Sequence, residues 1–147
     1  MNTLIAFDSQ YGNTEKIAKA IGAALLGDVK VLRSDDVNVT EMSSYDLLIL
    51  GTPTYGGRPM QPMQEFMNRL SNQAMDGKNF AAFDTRLATP FVKVFGYAAP
   101  KIEIELKAKG GKAIVPAVGF LVSGSKPPQL KEGELEKAAA WAKTIIR

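Results

Sequence analysis

Short apolar runs alternate with amphipathic stretches from one end of the chain to the other. Leu4-Ile5-Ala6-Phe7 is an apolar run that stops at Asp8-Ser9, the mark of a short buried strand. The next stretch places Ile17, Ile21, Ala24 and Leu25 on one helical face, with Glu15, Lys16 and Lys19 off it. Gly27-Asp28 ends that helix, and Val29-Lys30-Val31-Leu32 alternates as a half-exposed strand does. Leu47-Leu48-Ile49-Leu50 is apolar throughout, so it predicts a strand covered on both faces. Pro62 opens a helix with Met63, Phe66, Met67 and Leu70 at core spacing. Phe80-Ala81-Ala82-Phe83 is the next strand, and Ile102 and Leu106 mark a helix stopped by Gly110-Gly111. Ile114 to Val122 reads as a fifth strand interrupted by Pro116, which places it at an edge or gives it an irregular start. A last helix carries Leu135, Ala138, Ala139, Ala142, Ile145 and Ile146. Glu132 and Glu134 stand at its start and Lys143 and Arg147 at its end, as the helix dipole favours.

Five strands alternating with four or five helices predict an α/β domain built on a mainly parallel sheet, with helices on both faces. The 147 residues leave no room for two cores of ordinary size, so residues 1–147 are read as a single domain. The longest uncharged stretch, Ala113 to Ser125, has 13 residues and contains Pro116 and Gly119. A membrane-spanning helix needs roughly 20 apolar residues, so no membrane insertion is expected. The N-terminus, with no basic region and an acid at position 8, reads as a first strand and not as a signal peptide. A cytoplasmic location is the expectation.

Composition narrows the chemistry by what is missing. With no cysteine and no histidine, disulfides, thiol nucleophiles, Cys/His zinc sites and Ser-His-Asp machinery are all excluded. Carboxylates, lysines and tyrosines are left to move protons, so difficult chemistry would have to come from a bound cofactor. The net charge of +3 is mild. Lys101, Lys107, Lys109 and Lys112 interleave with Glu103 and Glu105, the pattern of a solvated helix face and not of a nucleic-acid patch.

Ligands of parallel sheets bind beyond the carboxyl ends of the strands, so the loops there carry the candidate site. The first is Ser9-Gln10-Tyr11-Gly12-Asn13-Thr14-Glu15, leading directly into a helix. Ser9, Asn13 and Thr14 offer side-chain donors, Gly12 lets the backbone approach an anion, and the helix start adds free N–H groups. The same residues also suit an ordinary helix cap on Asn13 or Thr14. No Gly-x-Gly-x-x-Gly or Walker pattern is present, which removes dinucleotide and P-loop enzymes. The loop after the third strand, Thr52-Pro53-Thr54-Tyr55-Gly56-Gly57-Arg58, sets an aromatic ring beside two unrestricted glycines. Tyr55 there suits stacking on a flat heterocycle, or simply an exposed turn.

These motifs resemble those of the flavodoxins, small electron carriers that bind FMN. Ser9 to Glu15 resembles the family's phosphate loop, and Thr54-Tyr55-Gly56 the loop that lays an aromatic on the flavin. The similarity follows the order of elements along nearly the whole chain and matches a short-chain member. It implies a three-layer sandwich with a five-stranded parallel sheet in the order 2-1-3-4-5. It also implies FMN as cofactor, redox proteins as partners, and a carrier that is a monomer or weak homodimer and not itself a catalyst. By resemblance, Ser9, Gly12, Asn13 and Thr14 hold the phosphate, with the backbone amides of Gln10 and Tyr11. Thr52, Pro53 and Thr54 run along the ribityl chain and ring edge, and Tyr55 stacks on the ring. Gly56-Gly57 allows the peptide flip by which the family reaches the N5 atom of reduced flavin.

The third loop departs from the family. Instead of a Gly- and Asp-rich stretch with a second stacking tyrosine, the chain reads Asp84-Thr85-Arg86, with Phe91 the nearest aromatic. Arg86 either lies at the flavin N1–O2 edge, raising its potential, or pairs with Asp84. Two readings stand beside the carrier: an FMN-dependent NAD(P)H:acceptor reductase, and a module of this shape that has lost FMN. A response-regulator receiver is disfavoured because the third strand ends in Leu50-Gly51-Thr52 without a phosphoacceptor aspartate. Low-molecular-weight tyrosine phosphatases need a cysteine in the first loop, and there is none.

Overall fold

The computed structural model describes residues 1–88 and 96–145. Its sheet runs β2 (Asp28–Arg33), β1 (Asn2–Phe7), β3 (Leu47–Pro53), β4 (Asn79–Arg86), every pairing parallel. The fifth position is shared. β5 (Lys112–Ala113) pairs with Asn79 and Phe80, and β6 (Val118–Leu121) pairs with Phe83 to Arg86. The continuous strand expected over Ile114–Val122 is therefore two short ones. Ala81 and Ala82 of β4 face four edge residues, 114–117, and the detour contains Pro116, which has no N–H to give to a ladder. The strand order is 2-1-3-4-5, with β6 as a small addition at that edge.

Period-2 alternation divides the core between the two faces. Leu4, Ala6, Leu48, Leu50, Phe80 and Ala82 pack with Met63, Phe66 and Met67 of α2 (Gln61–Arg69) and Ala99, Ile102 and Leu106 of α4 (Ala98–Ala108). The short α3 (Asn72–Met75) adds Met75 to that side. On the other side Ile5, Phe7, Ile49, Ala81 and Phe83 pack with Ile17, Ala18 and Ile21 of α1 (Asn13–Ala24). Ala138, Ala142 and Ile145 of α5 (Glu134–Ile145) complete that layer. Leu135, expected in the core, is exposed. The buried stripe of α5 is Glu134, Ala138, Ala142 and Ile145; Leu135 lies at the edge of that stripe, about 20° past Ala142, in the helix's first turn.

Phe83, Phe120 and Trp141 meet edge to face at centroid distances of 5.9–6.3 Å beneath α5. Gly51, opposite Phe83 in the register, leaves room for that ring, since a Cβ there would fall 2.0 Å from Phe83 Cζ. No helix among the described residues is long and apolar enough to cross a membrane. Phe91, and the helix-end residues Ile146 and Arg147, lie outside the described residues.

Candidate functional site

The carboxyl ends of β1, β3 and β4 converge with the starts of α1, α2 and α4, and these helix starts are satisfied unequally. At α2, Met63 N–H donates to Asp8 Oδ2 at 2.7 Å and Met60 N–H donates to Thr52 Oγ1 at 3.1 Å. At α4, Ala99 N–H donates to Asp84 Oδ2 at 2.9 Å and Ala98 N–H donates to Thr54 Oγ1 at 3.0 Å. At α1 the N-cap is Gly12, at φ 90°, and no side chain among the described residues caps the helix. Neither Asn13 nor Thr14 is the cap. Both lie inside the first turn, where Asn13 Nδ2 donates to Pro128 O at 2.9 Å and the Thr14 and Thr85 hydroxyls share a buried bond of 2.8 Å. Of the three, only the α1 end keeps its N–H groups and its positive dipole end for an outside anion.

Burial raises the carboxyls of both Asp8 and Asp84, against the opposing pull of their hydrogen bonds. Asp8 also accepts from the hydroxyls of Ser34 and Thr52. Because its folded value lies above its unfolded one, the folded state binds the extra proton. Stability is thus fullest in acid and falls as pH rises from the unfolded value through the folded one. Asp8→Asn keeps an oxygen for Met63 N–H but cannot titrate. In urea midpoints across pH, the advantage of the wild type over Asp8→Asn should be largest in acid and shrink with rising pH. A constant difference would show that Asp8 titrates as an ordinary carboxyl.

A cavity of about 320 Å³ opens at the α1 end, within the usual range for cofactor sites. Ser9, Gln10, Tyr11, Asn13, Thr14, Pro53, Thr54, Tyr55, Thr85 and Arg86 all reach its wall. Gly12, not itself on the wall, turns the loop between Tyr11 and Asn13, donating its N–H to Ser9 Oγ at 3.0 Å. Arg33 Nη1 braces the same loop by donating to Ser9 O at 3.3 Å. Tyr55 and Arg58 exchange two backbone bonds of 2.9 Å around Gly56 and Gly57, at φ 55° and 77°. Positive φ at both central positions is the two-residue turn that glycine makes without strain. The Tyr55 ring is 42% exposed, its hydroxyl donates to Gln10 Oε1, and burial, with Tyr11 nearby, raises its phenol above the usual value.

Two predicted positions stand behind the wall. The Thr52 hydroxyl is turned to Asp8 and Met60, and the Asp84 carboxylate to Ala99 and Arg86, both fully buried. Of the two readings for Arg86, the structure shows the pairing with Asp84. Its Nε and Nη2 donate to Asp84 at 2.6 and 2.8 Å, its guanidinium lies 3.6 Å from the Tyr97 ring centre, and it borders the cavity. Gly119 makes the space, because a Cβ there would sit 2.0 Å from Arg86 Nε.

The residues missed are Leu87 and the loop after β6, from which Val122, Ser123, Gly124, Ser125, Lys126 and Pro128 line the cavity. The signal was available, since this loop too leaves the carboxyl end of a parallel strand. A larger open groove of about 640 Å³ lies between residues 39–46 and 71–79, at the amino ends of β3 and β4. The helix start that faces it, that of α3, is already capped by Ser71 Oγ, which accepts from Ala74 N–H at 3.0 Å, and its one aromatic among the described residues, Tyr45, is buried.

The cavity's lining is therefore divided between polar groups, an open helix start and hydroxyls, and apolar ones, from Pro53, Tyr55, Leu87 and Val122. That division suits a phosphate ester carrying a flat ring. The flavodoxin family model matches residues 5–139. A flavodoxin from Picosynechococcus sp. is 30% identical over 125 residues, 82% of this chain and 74% of that protein. Flavodoxin 1 of Escherichia coli is 30% identical over 128 residues, 84% of this chain and 73% of its own. Among solved structures, a flavodoxin from the domain Archaea superposes with a TM-score of 0.81 over 99% of this chain and 96% of that one. At 22% identity that last likeness speaks for the fold alone. The chain belongs to the flavodoxin family, whose members bind FMN.

Proposed function

We propose that this chain binds FMN in the cavity at the start of α1 and works as an electron carrier between partner proteins, as a monomer or weak homodimer. The uncapped α1 start carries the reading, because the neighbouring starts of α2 and α4 are each met by an aspartate and a threonine. A phosphate there is held by the N–H groups of the first turn and by the Ser9–Thr14 loop, with Gly12 keeping the backbone close. Tyr55 covers the ring, and Pro53 and Thr54 run beside it. The Gly56–Gly57 peptide has no Cβ on either side, so its plane can turn toward the ring and offer an N–H. Bound flavin supplies the redox chemistry; the protein binds it, stacks on it and sets its electrostatic surroundings. Tyr11, Tyr55 and Leu87, all exposed at the cavity mouth, give a partner an apolar rim to approach.

Titration of flavin-free protein with FMN, followed by visible absorption, tests this directly. The wild type should take up one FMN and perturb its spectrum. Stacking on an aromatic contributes about 1–3 kcal/mol for a nucleobase-sized ring, so Tyr55→Ala should weaken FMN about 10- to 100-fold. Binding of inorganic phosphate should not change in that variant. A wild type indifferent to FMN would remove the carrier reading, and equal loss of FMN and phosphate would remove Tyr55 from the ring.

A further inference from the structure

The phosphate loop contains no cation, yet a flavin phosphate brings a charge of about −2 to it. Two cations line the cavity, Arg86 and Lys126, and Arg33 braces the phosphate loop beside it. Arg33 holds Ser9 O but lies 3.6 Å from Glu15, and Arg86 is locked to Asp84 at 2.6 Å. Each of these two therefore carries its own counter-ion. Lys126, on the cavity wall, has no ion-pair partner among the described residues.

Its backbone is also held in place. The loop leaves β6 beside β4, with Val122 N–H donating to Arg86 O at 2.9 Å, and is closed at its base by a Val122–Leu130 bridge. Ser123 and Ser125 bond each other at 2.6 Å, and Ser125 Oγ donates to Pro127 O at 2.9 Å. Asn13 Nδ2, from the first turn of α1, then ties the loop down through Pro128 O at 2.9 Å. Asn13, which the phosphate loop offers to an anion, thus also ties the segment that carries Lys126 to the first turn of α1.

Building on the FMN reading, we propose that Lys126 is the phosphate-binding cation of this site, supplied from the β6–α5 loop and not from the phosphate loop. Its ammonium offers three donors and a point charge, while the helix start offers the directional N–H groups.

Riboflavin, which lacks the phosphate, separates this role from any action on the ring. Dissociation constants for FMN, riboflavin and inorganic phosphate would be measured on the wild type, Lys126→Gln and Lys126→Arg at low and moderate salt. For an exposed ammonium on a phosphate, Lys126→Gln should weaken FMN about tenfold and flatten its salt dependence. Riboflavin should bind as before, and Lys126→Arg should keep most of the FMN affinity. Unchanged FMN binding in Lys126→Gln would overturn the proposal. So would an equal loss for FMN and riboflavin, which would place Lys126 on the ring or the loop's own stability. A wild type that binds neither flavin overturns the cofactor reading first and this proposal with it, an outcome distinct from both.

Discussion

Gly12→Val should abolish FMN binding, with a loss of more than about 100-fold in affinity. Gly12 stands at φ 90°, where a β-branched residue carries strain of roughly 1–3 kcal/mol, so the loop relaxes elsewhere. Relaxation breaks the Gly12 N–H bond to Ser9 Oγ and turns the first N–H groups of α1 away from the cavity. Each hydrogen bond to a charged acceptor contributes about 1.5–3 kcal/mol, so losing one together with the loop geometry exceeds the 2.7 or so that 100-fold requires. Nothing lies within 4 Å of a Cβ built at Gly12, so the folded protein itself has room for a side chain. Thermal stability should therefore fall only modestly while binding is lost. Gly12→Asn separates shape from space, because asparagine tolerates the left-handed conformation. It should keep the fold's loop and lose less affinity than valine. Equal FMN binding in Gly12→Val and wild type would mean that the phosphate lies elsewhere.

The pattern of apolar positions carried the layered sheet far, because β1, β3 and β4 are central strands whose alternation is written in uninterrupted runs. It carried less at the edge. Pro116 announced an irregular fifth strand, but a four-residue detour opposite two residues is a matter of pairing with β4, which no local pattern contains. In the site, the alternation extends past the strand ends. Asp8 continues the even face of Leu4 and Ala6, and Asp84 that of Phe80 and Ala82, so both aspartates point to α2 and α4 and away from the cavity. Read that way, Asp84 belongs with the helix start and not with the flavin. Asn13 and Lys126 were beyond such reading, since their roles depend on a contact across 115 positions of chain between Asn13 and Pro128. The family motif named the loop proposed to meet the phosphate. It could not name the neighbour that this chain has brought to it.

Arg86→Met should cost about 3–5 kcal/mol of stability, the usual cost of removing one partner from a buried ion pair. Asp84 is fully buried and Arg86 is 17% exposed, so little water replaces the guanidinium. Methionine keeps the apolar stem beside Gly119 and Tyr97, which confines the change to charge and hydrogen bonding. The carboxyl, already raised by burial, loses the lowering influence of Arg86 and rises further. A folded value above the unfolded one means that the folded state gains from the proton. The variant should therefore come nearest the wild type in acid and fall away from it as pH rises through the new, higher titration. Asp84→Asn in the same chain removes the stranded charge while leaving an oxygen for Ala99 N–H, so the double variant should regain at least half of the loss at neutral pH. Urea midpoints for the three variants and the wild type at several pH values read this out, provided the slopes agree. If Arg86→Met were as stable as the wild type at neutral pH, the pair would be one that water already satisfies. Arg86 would then be free, as Lys126 is, to act on whatever the cavity holds.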